Sequence, residues 1–539
     1  MTITSRRTVL RGALGAGALA AGGPLLAACG GGTTTHSSSS AKVALPAYLP
    51  YQGVTPDLPA TKDGNLPGFL NFPANPKKVS NGAPGKGGSV SAFVQTYSPV
   101  PPPLGKNPYW QQVNRRLGTK LDLVITPTPD YPSKLATLVA GNDLPDLVQI
   151  AGAVPQLPAL LAAKFQDLTP YLSGNAAKDY PFLANIPTES WKAAVYAGGI
   201  YGIPVPRGII GRPLFVRNDL LKAKGLSTDG VTTFADLRKL FAEVNDPAHH
   251  RWALGSASTM VAIVQQMLGV ANTWDIKGGK FTSFYEAPET KQALATCAQL
   301  VKDGLVQPDG FASSANPTQW FEAGQVVFTD NGYTAFSQFY RENVSGKSYD
   351  VIGMVPPKFD ADSTPSHWQN GAALSFTAFK KADDKRIKEL LAIANWLAAP
   401  FGTEEFQFRK YGVAGRDYTV KDGNPVLNQT GTTETGLNIS YIADAPAVLY
   451  EPGLPDVTKK EYAFGNQFVP HSLPNPALEY FSDTNSSKGS LLWTNITDAQ
   501  NAILQGRQPL SSWDDAVKAW KSGGGDQIRQ ELEEAYQKQ

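Results

Sequence analysis

Short apolar strands alternate with amphipathic helices where the globular part of this chain of 539 residues begins. The pattern predicts strands at 90–94, 121–125 and 147–150, with helices at 109–118 and 132–140 between them. Such alternation is typical of βαβ units around a largely parallel sheet. We therefore expect an α/β fold, and a chain of this length is long enough for two large lobes or more.

Later helices are marked by their ends. Thr233 precedes an apolar helical pattern over 234–243 and has Asp236 three residues later, which is the spacing of a capping box. Asp384 begins a second helix, and Pro400 stops it. A last helix is predicted from Asp526 onward.

The first 29 residues predict export and lipid attachment. Three arginines, two of them Arg6 and Arg7, precede an apolar stretch at 14–28, and no acidic residue occurs before Cys29. This layout is that of a secretory signal, because a spanning helix needs about 20 strongly apolar residues. The paired arginines resemble a twin-arginine export signal, and the residues before Cys29 resemble a bacterial lipobox. We predict a signal peptide at 1–28.

The mature protein would then begin at a lipid-modified Cys29, carrying palmitate or similar acyl chains, on the outer face of the cell membrane. Residues 30–40 are rich in Gly, Ser and Thr and predict a flexible spacer. Residues 41–88 are dense in Pro and Gly and lack clear periodicity. Either this segment is a disordered linker, or it is an extended arm held on the surface by its aromatic residues Tyr48, Tyr51, Phe69 and Phe72.

Charge and cysteine content exclude some classes of function. Removal of the three signal arginines would change the formal net charge from +2 to −1, which argues against binding to nucleic acid or to an anionic membrane surface. Besides Cys29, the sequence contains only Cys297, so a lipidated protein has no intramolecular disulfide. Cys297 lies in an apolar helical pattern and is predicted to be a small buried core residue.

Seven motifs follow one another in a characteristic order. One reads Gly-Asn-Asp-Leu-Pro-Asp-Leu-Val, and the next reads Gly-Gly-Ile-Tyr-Gly-Ile-Pro-Val-Pro, with Ala197 where an acidic or polar residue is usual. The motifs occupy residues 141–148, 198–206, 214–226, 233–237, 321–332, 396–415 and 520–536. Together they resemble the extracellular solute-binding proteins of ABC importers, in the branch that binds sugars and oligosaccharides.

The resemblance implies a two-lobed periplasmic-binding-protein-like fold with a hinge and a ligand cleft between the lobes. The first lobe would contain residues 89–207 and 376–425, and the second 208–375 and 426–539. A monomer would capture a carbohydrate, expected to be an oligosaccharide, by stacking and hydrogen bonding, and deliver it to a membrane permease. No cofactor and no metal are implied.

Candidate ligand residues follow predicted strands, because open α/β sheets bind ligands at the carboxyl ends of their strands. Gln95, Thr96 and Tyr97 follow the first strand, and Gln149 belongs to the third. Arg207 and Arg212 lie near a predicted crossover and suit a carboxylate on an acidic sugar, although a single arginine is more often a solvated surface residue. The second-lobe candidates are Trp274, Asp330, Asn331, Tyr333, Phe336, His367 and Trp368.

Tyr333 carries the most specific of these expectations. The family commonly places a ligand-stacking aromatic just after the glycine of the fifth motif, and Tyr333 holds that position, with Phe336 nearby. Core packing competes with a ligand role for the aromatic residues Trp274 and Trp368. Aromatic residues make up 10% of the chain, a surplus that suits a carbohydrate site.

Two other functions compete with transport. A tethered glycoside hydrolase needs only two carboxylates, which no motif excludes. The sequence contains neither a Gly-x-Ser-x-Gly nor a His-Glu-x-x-His motif, and we predict that the protein is not an enzyme. A binding protein for peptides or another polar solute is the second alternative.

Overall fold

The computed structural model describes residues 43–312, 316–342 and 349–538. The predicted signal peptide, the predicted lipid attachment at Cys29 and the predicted spacer lie outside the described residues. The chain passes through two lobes in four successive segments. None of the helices in the described ranges is long and apolar enough to cross a membrane.

The first segment enters the first lobe. Its strands and helices, in chain order, are β1 (Ser89–Thr96), α1 (Pro108–Leu117), β2 (Lys120–Pro127), α2 (Tyr131–Ala140), β3 (Leu147–Ile150), α3 (Leu157–Lys164), α4 (Thr169–Leu172), α5 (Pro181–Ala184), α6 (Thr188–Trp191), β4 (Val195–Tyr196), β5 (Gly199–Ile200) and β6 (Ile203–Pro206).

The second segment builds most of the second lobe. It contains β7 (Leu214–Arg217), α7 (Asn218–Ala223), α8 (Phe234–Val244), β8 (Trp252–Leu254), α9 (Ala257–Met267), β9 (Trp274–Lys277), β10 (Lys280–Ser283), α10 (Pro288–Lys302), α11 (Pro317–Glu322), β11 (Val326–Asp330), α12 (Ala335–Glu342), β12 (Val351–Met354) and β13 (His367–Trp368).

The third segment returns to the first lobe and the fourth to the second. The third contains β14 (Ala373–Phe379), α13 (Asp384–Leu397), α14 (Glu404–Tyr411), β15 (Tyr418–Lys421), β16 (Asn424–Leu427) and α15 (Gln429–Glu434). The fourth contains α16 (Pro455–Phe468), β17 (Ser472–Leu473), α17 (Asp483–Leu504), α18 (Ser512–Trp520) and α19 (Asp526–Gln537).

The first-lobe sheet has the strand order β2-β1-β3-β14-β6. β1 pairs in parallel with both β2 and β3, which confirms the βαβ prediction. β14 returns from the other lobe and runs antiparallel to β3 and β6. Helix α1 begins at the capping residue Asn107 and ends at Gly118, whose φ of 67° suits glycine. Its predicted apolar face of Trp110, Val113 and Leu117 is buried.

The second-lobe sheet has the strand order β12-β7-β11-β8. The predicted capping box is present at the start of α8, where the Thr233 hydroxyl and the Asp236 carboxylate each bond the other's backbone. Cys297 is fully buried in the core of this lobe, as predicted. Burial raises the pKa of its thiol, which keeps it protonated and unreactive.

The arm from residue 43 to residue 88 has little regular structure but is packed against the lobes. Phe69 and Phe72 are buried in a cluster with Phe401 and Phe406. The Asn65 side chain donates to the Tyr462 carbonyl of α16 in the second lobe at 3.0 Å. These contacts match the arm expected from its aromatic residues rather than a disordered linker.

Three connections join the lobes in the described chain, at residues 207–213, 369–372 and 444–454, and we call them the first, second and third crossovers. Leu437, Ile439 and Ala443 pack into the first-lobe core. The predicted return to the second lobe at residue 426 is therefore too early, because the chain first adds a turn to that core. The other lobe boundaries stay predictions.

Candidate ligand cleft between the lobes

The two sheets present their facing edges to the crossovers. β1 and β3 end at the same edge of the first-lobe sheet, and β6 ends there before the first crossover leads directly into β7. In the second lobe, Asp330 at the end of β11 pairs with Leu214 at the start of β7. The ends of β1, β3, β8 and β11 therefore border one interlobe space, where open α/β sheets hold their ligands.

Tyr97 is the predicted first-lobe residue that faces this space most openly. It follows β1, its side chain is 65% exposed, and its ring lies 6.4 Å from that of Tyr441 in an edge-on arrangement. Gln95 is buried, but its side-chain amide donates to the Tyr97 hydroxyl at 3.2 Å. Gln95 therefore positions the tyrosine rather than contacting solvent.

Gln149 and Thr96 are structural residues, which corrects the prediction that they face a ligand. Gln149 is fully buried, accepts from the Gln95 backbone N–H at 3.0 Å and donates to Ser375 at 2.9 Å. The hydroxyl of Thr96 donates to the Ser98 carbonyl at 2.9 Å and closes a turn. Polar groups that are buried and already paired have little capacity left for a solute.

Arg207 and Arg212 occupy the first crossover. The Arg207 guanidinium donates to the Pro206 carbonyl at 2.8 Å and lies 5.9 Å from the centre of the Tyr441 ring. Arg212 is half exposed and forms a 2.8 Å ion pair with Asp330, whose own side chain is largely buried. Both arginines border the space between the lobes.

Asn331 is tied to its own lobe. Its amide donates to Thr318 at 3.1 Å, and its side-chain oxygen accepts from the Gly332 backbone at 2.8 Å. Asp330 and Asn331 together shape the turn that follows β11, and the carboxylate of Asp330 fixes Arg212.

The prediction that Tyr333 and Phe336 stack on a ligand is wrong in this structure. Tyr333 is buried, its hydroxyl donates to the Glu461 carbonyl at 2.9 Å, and its ring stacks on Phe464. Phe336 is fully buried with its ring 5.4 Å from that of Phe215. Helix α16, contributed by the fourth segment, covers the place where a ligand was expected.

Two further predicted aromatic residues belong to the second lobe's interior, and the indole of a third is bonded to it. Trp274 is buried against Phe281 and Trp520. His367 is buried and stacks on Phe468, and burial lowers the pKa of its imidazole. The indole of Trp368 donates to the Val270 carbonyl at 2.8 Å. These contacts correct the expectation for Trp274 and His367, whereas Trp368 is partly exposed and stays a prediction.

A buried charge cluster at the third crossover was not anticipated. Asp444 accepts from Arg409 at 2.6 Å and from Lys410 at 3.0 Å. Burial alone would raise the pKa of the Asp444 carboxyl, but the charges of Lys410, Arg409 and Arg207 outweigh it and lower the pKa to about 2. Three cations thus surround one carboxylate near Tyr441. Its residues come from two segments that are distant from Arg207 in sequence, so no local pattern announces the cluster.

A cavity of about 980 Å³ lies between the arm and the crossovers. Tyr51 and Leu66 line it from the arm, and Arg207, Asn370 and Val448 from the three crossovers. Arg207 is the one predicted ligand residue among its lining residues. No group of three or more His, Cys, Asp or Glu side chains suited to a metal ion occurs within the described ranges.

Comparison with known proteins agrees with this two-lobed geometry. The profile of the bacterial extracellular solute-binding proteins matches residues 111–414, which is more than half of the chain. The chain belongs to this family. The family is one of binding proteins.

Two curated relatives and one solved structure are similar over most of their length. Lipoprotein LipO of Bacillus subtilis (strain 168) is 24% identical over 85% of this chain and 94% of its own. The polygalacturonan/rhamnogalacturonan-binding protein YtcQ of the same organism is 24% identical over 79% and 87%. The N-glycan transport solute-binding protein NgtS of Streptococcus pneumoniae, in complex with Man1GlcNAc, superposes with a TM-score of 0.58 at 15% identity, over 83% of this chain and 98% of its own.

Proposed function

We propose that this solute-binding protein is the carbohydrate receptor of an ABC importer. It captures an oligosaccharide between its lobes and, as a monomer, delivers it to a membrane permease. The observation that carries the proposal is Tyr97, an exposed aromatic ring at the carboxyl edge of the first-lobe sheet beside Tyr441 and Arg207. An exposed aromatic ring with a polar tip suits a sugar, which presents both a C–H face and hydroxyl groups.

The arginines favour an acidic sugar among the possible ligands. Arg207 donates to Pro206 and to Tyr441 and lies in a cluster with more cations than carboxylates, so the donors that it does not use there suit a uronate carboxylate. YtcQ, by its name, binds acidic polysaccharides, whereas NgtS binds a neutral glycan. The first ligands to test are therefore oligogalacturonates, followed by neutral oligosaccharides.

A thermal-shift screen tests the carbohydrate assignment. A sugar at one hundred times its Kd should stabilise the folded protein by about 2.7 kcal/mol, because it binds the folded state alone. We expect an oligogalacturonate or a neutral oligosaccharide to raise the stability of the protein. The protein should not cleave that sugar during prolonged incubation. Stabilisation by peptides but by no sugar would contradict the proposal, and glycoside turnover by the purified protein would favour the hydrolase alternative.

The proposed membrane anchor has a simple test in cells. Cys29→Ala should release the protein from the membrane, because the acyl chains would have no attachment point. Cys297→Ala is the matched control and should stay anchored, since Cys297 is buried in the second-lobe core. Membrane retention of Cys29→Ala would exclude lipid anchoring at this cysteine.

Replacing Arg6 and Arg7 with lysine should block export by the twin-arginine route.

A further inference from the structure

One flank of helix α17 contacts the first lobe near one end and the start of α9, in its own lobe, near the other. Ser486, Trp493 and Gln500 are spaced seven residues apart, so they lie along the same side of the helix. The Ser486 hydroxyl donates to the carbonyl of Val154, in the first-lobe loop that follows β3. The Gln500 amide donates to the carbonyl of Ser258, at the second-lobe edge where α9 begins. This flank therefore starts at the border between the lobes, and its other end lies where α9 follows β8.

Trp493 lies midway between these two contacts, about 10 Å from each along the helix axis. Its side chain is 62% exposed, although Leu492 and Ile496 on the same helix are buried in the second-lobe core. Within the described part of the chain, the indole has no hydrogen bond and no ring contact. A single exposed apolar side chain is common on protein surfaces, so the significance of Trp493 depends on its place between these two contacts.

Tyr97 is the exposed aromatic residue on the other side of the same border. It follows β1, which pairs with β3, and the loop after β3 is the one that Ser486 contacts. One open ring thus comes from each lobe. Closure of a hinge between the lobes would bring two aromatic faces toward one solute.

We infer that Trp493 is a ligand-stacking residue of the cleft and that it forms, with Tyr97, a two-sided aromatic platform for a pyranose ring. The inference rests on the proposed carbohydrate function and makes it more specific. The ligand class is a sugar with an apolar C–H face, since such a face packs against an indole while the ring hydroxyls stay solvated or bonded. Arg207 would then read the substituents of the sugar rather than its face.

Substitution of Trp493 separates stacking from other roles. Trp493→Ala should weaken binding of the best oligosaccharide of the screen about tenfold by calorimetry, which corresponds to about 1.4 kcal/mol. Trp493→Phe should retain most of the affinity, because a flat ring remains. Both variants should melt like the wild type, since the side chain is exposed. Sugar-induced change in tryptophan fluorescence should fall sharply in Trp493→Phe.

Leu491→Ala is the matched control. Leu491 is 64% exposed on the same helix but lies on the opposite flank, so its loss should leave affinity and fluorescence change intact. Wild-type affinity in Trp493→Ala would overturn the platform while leaving carbohydrate binding standing. If Trp493→Ala binds sugar normally but does not support uptake, the aromatic platform is also overturned, and the indole is a permease contact instead. Failure of the wild type to bind any oligogalacturonate or neutral oligosaccharide would overturn both proposals.

Discussion

Replacing Asp444 with alanine is expected to lower the free energy of unfolding by about 3–5 kcal/mol. Asp444 is buried in the third crossover and is bonded to Arg409 at 2.6 Å and to Lys410 at 3.0 Å. Arg409 is itself buried, so removal of the carboxylate leaves a cation in a poorly solvated place without its counter-charge. The cost of an unpaired buried charge exceeds the strength of the lost bond.

Equilibrium unfolding in urea measures this effect. Asp456→Ala is the matched control, because Asp456 pairs with Lys459 at 3.0 Å on the exposed surface of α16. Exposed pairs of this kind contribute little, so the control should unfold at the wild-type midpoint. If Asp444→Ala also unfolds there, the cluster does not stabilise the crossover.

The sign of the pH dependence follows from the direction of the Asp444 shift. The folded-state pKa of Asp444, about 2, lies below the ordinary value of 3.8 for an unpaired aspartate carboxyl. The stabilisation is therefore fully present above about pH 4 and is lost as the pH falls through 3 toward 2. The difference in stability between wild type and Asp444→Ala should accordingly narrow over that interval.

Local sequence patterns predicted the elements well where each element is specified by its own residues. The alternation from residue 90 to residue 150 gave the parallel strands β1, β2 and β3 and the helices between them. Thr233 and Asp236 predicted a helix start because a capping box is a contact within four residues. Likewise the apolar face of a single helix is enough to predict that Cys297 is a core residue.

The site was harder to predict because long-range packing decides which side chains remain open. Tyr333 follows a strand and a glycine, as a ligand residue would, but Phe464 and Glu461 lie some 130 residues later and cover it. Conversely, Trp493 lies on a helix, and ligand residues are expected after strands, so this expectation does not include Trp493. The seven-residue spacing of Ser486, Trp493 and Gln500 predicts that they share one side of a helix. Only the contacts of Ser486 and Gln500 in the structure show what that side of the helix faces.

Replacing Phe72 with alanine is expected to destabilise the protein by about 3–5 kcal/mol, the usual cost of removing a buried phenylalanine ring. Phe72 is buried, with ring centres 5.1 Å from Phe401 and 6.0 Å from Tyr450. A disordered linker would contribute nothing at this position. The size of the loss therefore measures how firmly the arm is attached.

Tyr48→Ala tests the arm at an exposed position and should leave the unfolding midpoint nearly unchanged, since its side chain is 50% exposed. Between Tyr48 and Phe72 the arm passes the second lobe, where Asn65 bonds Tyr462, and then the third crossover, where Phe69 bonds Leu449. If Phe72→Ala is as stable as wild type, the arm does not hold the crossovers. If it unfolds early while Tyr48→Ala does not, the ring of Phe72 attaches the arm to the cluster that contains Phe401 and Phe406.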